Sequence, residues 1–115
     1  MLTAESAVRL AQMVESPRCK LHLDVKAMSS EGTSIPDIIR ANTKYLHHFH
    51  ANDANRLGPG MGEIDFVPIL RTLNEVGYDG WVSVEVFDYS PGPERLARES
   101  IENLKRCAAT LESRL

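Results

Sequence analysis

"YLHHFHANDANRLGPGMGEIDFVPIL", residues 45–70, decides the fold. It opens as a strand, "YLHHFHA", crosses a long polar and glycine-rich loop, and closes as a helix. Asp65 stands where a helix cap belongs, and Phe66, Ile69, Leu70 and Leu73 follow as one apolar stripe. Gly77 stops that helix. A strand, a loop and a helix in this order make half of a βαβ unit.

The flanking segments repeat the pattern. "CKLHLDV", residues 19–25, puts Cys19, Leu21, Leu23 and Val25 on one face and Lys20, His22 and Asp24 on the other, as a strand does. Before it, residues 3 to about 15 predict a helix capped by Thr3, with Ala7, Leu10, Ala11 and Val14 as its stripe and Ser16-Pro17 as its end. After it, "SSEGTS" is a loop. Ser34 caps a helix that has Pro36 in its first turn and Ile35, Ile38 and Ile39 on its buried side. Further on, "GWVSVEVF" (80–87) is a valine-rich strand and "DYSPGP" a loop. A last helix runs from about 93 to 111 with Ala97, Ile101, Leu104, Ala108 and Leu111 on one stripe. The order α-β-α-β-α-β-α predicts an α/β fold with a parallel sheet. Nothing marks an internal boundary, so residues 1–115 read as a single domain.

Composition narrows the function. Apolar residues make up 43% and charged residues 25%, an ordinary globular balance. A net charge of −3 and a pI near 5.8 argue against a nucleic-acid partner, which requires a basic face. No apolar run reaches membrane-spanning length, and "MLTAESAVRL" lacks a signal-peptide pattern. Cys19 and Cys107 form neither a metal-like pair nor a disulfide framework, which points to a reducing, cytoplasmic setting.

Strand parity then sorts the polar residues. Leu21, Leu23 and Val25 share a face, as do Phe49 and Ala51, and as do Val82, Val84 and Val86. The opposite face of each strand carries one metal-competent residue near its C-terminal end: Asp24, His50 and Glu85. Parallel α/β folds bind ligands at those ends. Two carboxylates and an imidazole converging there suit a divalent ion, Mn²⁺, Mg²⁺, Co²⁺ or Zn²⁺, better than a soft one. Glu85 carries the most weight, because a carboxylate within a valine-rich strand is costly to bury without a partner. His22 and His48 read instead as polar filling of an interior layer.

The loop is less specific. "GPGMG" lacks the lysine-serine ending of a phosphate loop and reads as tight backbone turns. Arg56, six residues past His50, offers a fork for a hydroxyl, carboxylate or phosphate oxygen, although a lone loop arginine is more often solvated. Asp53 either orients His50 and its loop or caps a turn. Lys26 shares the parity of Asp24 and faces either the site or solvent.

"LHLDVKAM", "HFHANDANRLGPGMGEIDFVPILRTLNEVGYDGWVSVEVF" and "ARESIENL" together resemble the C-terminal half of the sugar phosphate isomerase/epimerase family, the xylose isomerase-like TIM barrels. The resemblance implies a partial (β/α) TIM barrel with three parallel strands and four helices, the last three βα units of eight. It implies metal ligation by Asp24, His50 and Glu85, substrate contact by Arg56, and a further glutamate on a strand that precedes Met1-Leu2-Thr3. Ala27 stands where many members carry a substrate-contacting histidine. The implied reaction moves a proton next to the carbonyl of a sugar or sugar phosphate through a metal-stabilised enediolate, with Glu85 as acid/base. From the residues alone, Asp53 and Lys26 stand as further substrate-binding candidates. A three-stranded parallel sheet has open edges and an open polar face, which predicts self-association or pairing with an N-terminal barrel half. Two other readings stand beside this one: a metal hydrolase related to the apurinic-site endonucleases, and a non-catalytic remnant of the same fold.

Overall fold

A computed structural model describes residues 3–112. Strands β1 (Leu21–Asp24), β2 (Leu46–His50) and β3 (Val82–Ser83) form a parallel sheet in the order β1-β2-β3. The helices are α1 (Ala4–Val14), α2 (Val25–Met28), α3 (Ile35–Asn42), α4 (Phe66–Glu75) and α5 (Pro93–Glu112). A 3-10 turn at Thr43–Tyr45 leads into β2. Met1 and Leu2, which were expected to begin just past a strand, lie outside the described residues.

Local chemistry accounts for the helix starts. Thr3 accepts from the Ser6 amide at 3.1 Å, Ser34 from Asp37 at 3.3 Å and Asp65 from Val67 at 3.0 Å, each satisfying an otherwise unpaired amide. Gly77 ends α4 at φ +76°, in the left-handed region that favours glycine.

Leu21, Leu23, Phe49 and Ala51 turn to one face of the sheet and meet Ala4 and Ala11 of α1, Ile38 and Ile39 of α3, and Phe66, Ile69 and Leu73 of α4. Phe49 and Ile39 are fully buried. Each such side chain contributes about 1.5–3 kcal/mol of hydrophobic stabilisation. The opposite face carries His22, Asp24, His48 and His50, with His22↔His48 and Asp24↔His50 in register.

Four expectations are corrected. Among the described residues there are five helices rather than four, because β1 stops at Asp24. The Asp24 carboxylate accepts from the Ala27 amide at 3.1 Å and so caps a one-turn helix that Val25 opens. The third strand keeps only Val82–Ser83 of the valine-rich run. Beyond it the loop after β2 captures the backbone: the amide of Glu85 donates to Asn52 Oδ1, and those of Phe87 and Asp88 to the carbonyl of Arg56. Helix α1 sits on the sheet through its small residues, Ala4, Ala7, Val8 and Ala11, leaving Leu10 and Val14 about half exposed. Helix α5 buries Leu96 and Ser100 instead of Ala97 and Ile101, which line an apolar groove with Val82, Val84 and Val86.

Candidate metal centre

The polar face converges at the C-terminal rim of β1 and β2. Register places Asp24 beside His50. The α2 cap holds one Asp24 oxygen, and the other, Oδ2, lies 3.7 Å from His50 Nδ1. Glu85 Oε2 reaches the same nitrogen at 3.2 Å from the far side. The Asp24 and His50 side chains are 17% and 15% exposed, whereas Glu85 is 53% exposed. His50 Nδ1 is a buried atom with no hydrogen-bond partner among the described residues. A ring nitrogen flanked by two carboxylates therefore lacks a satisfying contact, an arrangement that a cation resolves. Ligand atoms around a tetrahedral ion at about 2.1 Å stand about 3.4 Å apart, and the two separations bracket that spacing. The donor set fits a divalent ion.

His22 joins this group. Its ring, Asp24 and His50 each offer a ligand atom, and the three atoms lie within 4.8 Å of one another. It was expected to be interior filling, but it is exposed on the open face, with its ring centroid 3.8 Å from that of His50. His48 is farther off, with centroids 5.6 Å from His22 and 5.1 Å from His50. Partial burial, then the neighbouring His50, hold His22 below its ordinary value, while Asp24 pulls the other way. A cleft of about 220 Å³ opens beside these residues, with His22, Asp24, Ala27 and Glu31 in its walls.

Asn52 is the residue that sequence reasoning passed over. It is fully buried, donates from Nδ2 to Asp24 Oδ2 at 2.8 Å, and accepts the Glu85 amide at 2.9 Å. One amide side chain thus ties together the backbone regions that present two of the carboxylates. The signal was available, since His48, His50 and Asn52 continue one strand parity.

The remaining candidates separate. Asp53, weighed as a substrate contact and as a support of its own loop, turns inward. It is buried, and its oxygens accept from the amides of Ala54 at 2.9 Å and Gly62 at 3.1 Å, so it braces the loop. Arg56 is exposed and sits at φ +75°, an uncommon conformation for a residue with a side chain. That backbone turn lets its carbonyl receive the Phe87 and Asp88 amides at 2.9 and 3.1 Å. Lys26 reaches across the rim, with Nζ 5.8 Å from the Phe87 ring centroid.

Comparison with known proteins agrees with this architecture. Residues 1–107 match the family described as xylose isomerase-like TIM barrel. D-psicose 3-epimerase from Ruminiclostridium cellulolyticum is 38% identical over 85 residues, covering 74% of this chain and 29% of the relative. Inosose isomerase from Bacillus subtilis is 28% identical over 124 residues, covering 97% of this chain and 44% of the relative. The crystal structure of D-psicose 3-epimerase with D-tagatose from Clostridium cellulolyticum H10 superposes with a TM-score of 0.81 at 31% identity, covering 95% of this chain and 44% of that one. The chain thus spans less than half the length of these relatives. Its parallel strands, its helix-covered face and the family match over nearly all of its length agree: the chain belongs to the xylose isomerase-like TIM barrel family.

Proposed function

We propose that this chain is the metal-bearing portion of a sugar isomerase or epimerase that moves a proton next to a carbonyl. One observation carries the reading: Asp24 and His50 are register partners at the strand ends, and Glu85 closes on the same imidazole nitrogen at 3.2 Å. Relatives named as a ketose 3-epimerase and an inosose isomerase support the substrate class, a small polyhydroxy carbonyl compound.

In this reading Asp24, His50 and Glu85 hold a divalent ion, which supplies Lewis acidity toward substrate oxygens. Glu85 is the most exposed of the three, so its carboxylate takes a proton from the carbon beside the carbonyl. The substrate is left as an enediolate. Return of a proton to the neighbouring carbon gives the isomer, and return to the opposite face gives the epimer. Opposite-face return needs a second acid, which the remaining part of the barrel is expected to contribute. The exposed guanidinium of Arg56 binds substrate oxygens, and the ammonium of Lys26, over the Phe87 ring, adds a second cation at the rim.

The apolar flanks support assembly with a barrel half or a second copy. Leu10, Met13 and Val14 are exposed on one side, and Trp81, Val84 and Ile101 on the other. Among the described residues no helix is long and apolar enough to cross a membrane, and a cytoplasmic setting accords with this reading.

Elemental analysis and deuterium exchange test the proposal together. The chain is expected to retain about one equivalent of divalent ion, to lose it on His50→Ala or Asp24→Asn, and to retain it more weakly on Glu85→Gln. Assembled with its barrel half, it is expected to wash deuterium from D2O into a ketose at the carbon next to the carbonyl. A chain that binds no divalent ion, or one whose binding ignores His50→Ala, overturns the reading.

A further inference from the structure

We propose that His22 is a ligand of this same centre, so that the ion is held by two imidazoles and two carboxylates and the site favours a late first-row ion such as Zn²⁺ or Co²⁺. The inference rests on the metal-centre reading and adds to it a residue and an ion class.

Geometry places His22 in the group. It stands two residues before Asp24 on the same face, and its register partner is His48. Yet its ring lies nearer His50, with centroids 3.8 Å apart, than His48, at 5.6 Å. Its ligand atom falls within 4.8 Å of those of Asp24 and His50. Among the described residues no hydrogen bond engages the His22 ring, and the ring is exposed, so rotation about its side-chain bonds can close the remaining distance. The second observation is independent of His22: the buried Nδ1 of His50 lies beside Asp24 and Glu85 with no hydrogen-bond partner among the described residues.

Donor chemistry sets the ion class. Three carboxylates and one imidazole suit Mg²⁺ or Mn²⁺, whereas a second imidazole moves preference toward Zn²⁺ and its neighbours. His22, Asp24 and His50 bring two nitrogens and an oxygen within 4.8 Å of one another, and Glu85, 3.2 Å from His50, would add a second oxygen from the same chain. The centre would then load before any partner arrives.

The test titrates the full chain with Co²⁺, Zn²⁺ or Mn²⁺ alone. Wild type is expected to develop the strong visible absorption of four-coordinate Co²⁺. His22→Ala and His22→Gln should weaken that absorption and lower Zn²⁺ affinity by about ten-fold or more, with Mn²⁺ affinity changed by less than about three-fold. Imidazole ¹⁵N shifts on Zn²⁺ addition to the wild type should move at both His22 and His50, which keeps the test decisive if a variant folds poorly. Unchanged Co²⁺ and Zn²⁺ binding in the His22 variants, or a shift at His50 alone, overturns this inference and leaves the metal-centre reading standing. Absence of binding by wild type overturns both.

Discussion

Asn52 Nδ2 donates to Asp24 Oδ2 at 2.8 Å, across the seam between the ends of β1 and β2. The same side chain accepts the Glu85 amide, so two candidate ligands share one buried brace. Asn52→Ala leaves the Asp24 carboxylate and the Glu85 amide without this part-buried partner and is expected to cost about 1–3 kcal/mol in urea unfolding. Metal affinity should fall about 10–100-fold, as it does when other supports of a ligand are removed. Asn52→Asp keeps an acceptor for the Glu85 amide but sets a carboxylate against Asp24. It should therefore retain more of the Glu85 geometry than the alanine variant while still weakening the ion. Equal metal affinity in all three proteins would contradict the bracing role.

The loop after β2 depends on Asp53. Its carboxylate receives the Gly62 amide at 3.1 Å, and a Cβ at Gly62 would run into that carboxylate. Gly62→Ala and Asp53→Ala should each loosen the loop by about 1–3 kcal/mol, read as faster amide exchange around residues 53–62. The proposed function has Arg56 bind substrate from this loop, and on that reading substrate affinity should fall with it. Asp53→Asn preserves shape and one acceptor, and its exchange should lie between those of wild type and alanine.

Acidification should destabilise the metal-free chain through His22. Burial, then His50, hold its folded value below 6.5, so the unfolded chain takes up a proton first as pH falls. Stability is fully present above pH 6.5 and is lost as the pH drops through the folded value. Denaturant midpoints measured from pH 7.5 to 5 should show this decline, and His22→Gln should flatten it. A midpoint that rises over the same interval in the wild type would reverse the sign.

Association is the expected behaviour of the two apolar flanks. The monomer mass is 12.8 kDa, and light scattering should find larger species at micromolar concentration. Ile101→Lys places a charge in the groove between α5 and β3. An isoleucine buried at an interface contributes about 1.5–3 kcal/mol, so dissociation should strengthen by about ten-fold or more. A single monomeric species at all concentrations would show that the flanks need no cover.

Much of this was legible in the residues because two periodicities carried it. Alternation along 19–25 and from His48 to Ala51 sorted core from rim, although Leu46 packs on the core and His47 is exposed against their parity, and the caps at Thr3, Ser34 and Asp65 fell where their side chains demanded. Illegible features were those settled by competition between segments. Asp24 has the chemistry of both a strand residue and a helix cap, and capping won over one more strand residue. The valine run from 82 to 86 has strand propensity throughout, but Asn52 and Arg56 took its backbone partners away. Helices α1 and α5 each carry more apolar surface than one stripe, so pattern alone left the choice of buried side open. At the centre, the pairing of Asp24 with His50 followed from parity. The approach of His22 to His50 followed from ring packing, which spacing does not encode.

Trp81 is the chain's single tryptophan; it is 80% exposed and stands at the threshold of β3. Its indole is consequently a built-in optical probe. Emission should lie at long wavelength while water bathes the ring and shift toward the blue when another polypeptide seals that edge. Association at that edge can thus be watched in real time without attaching a dye.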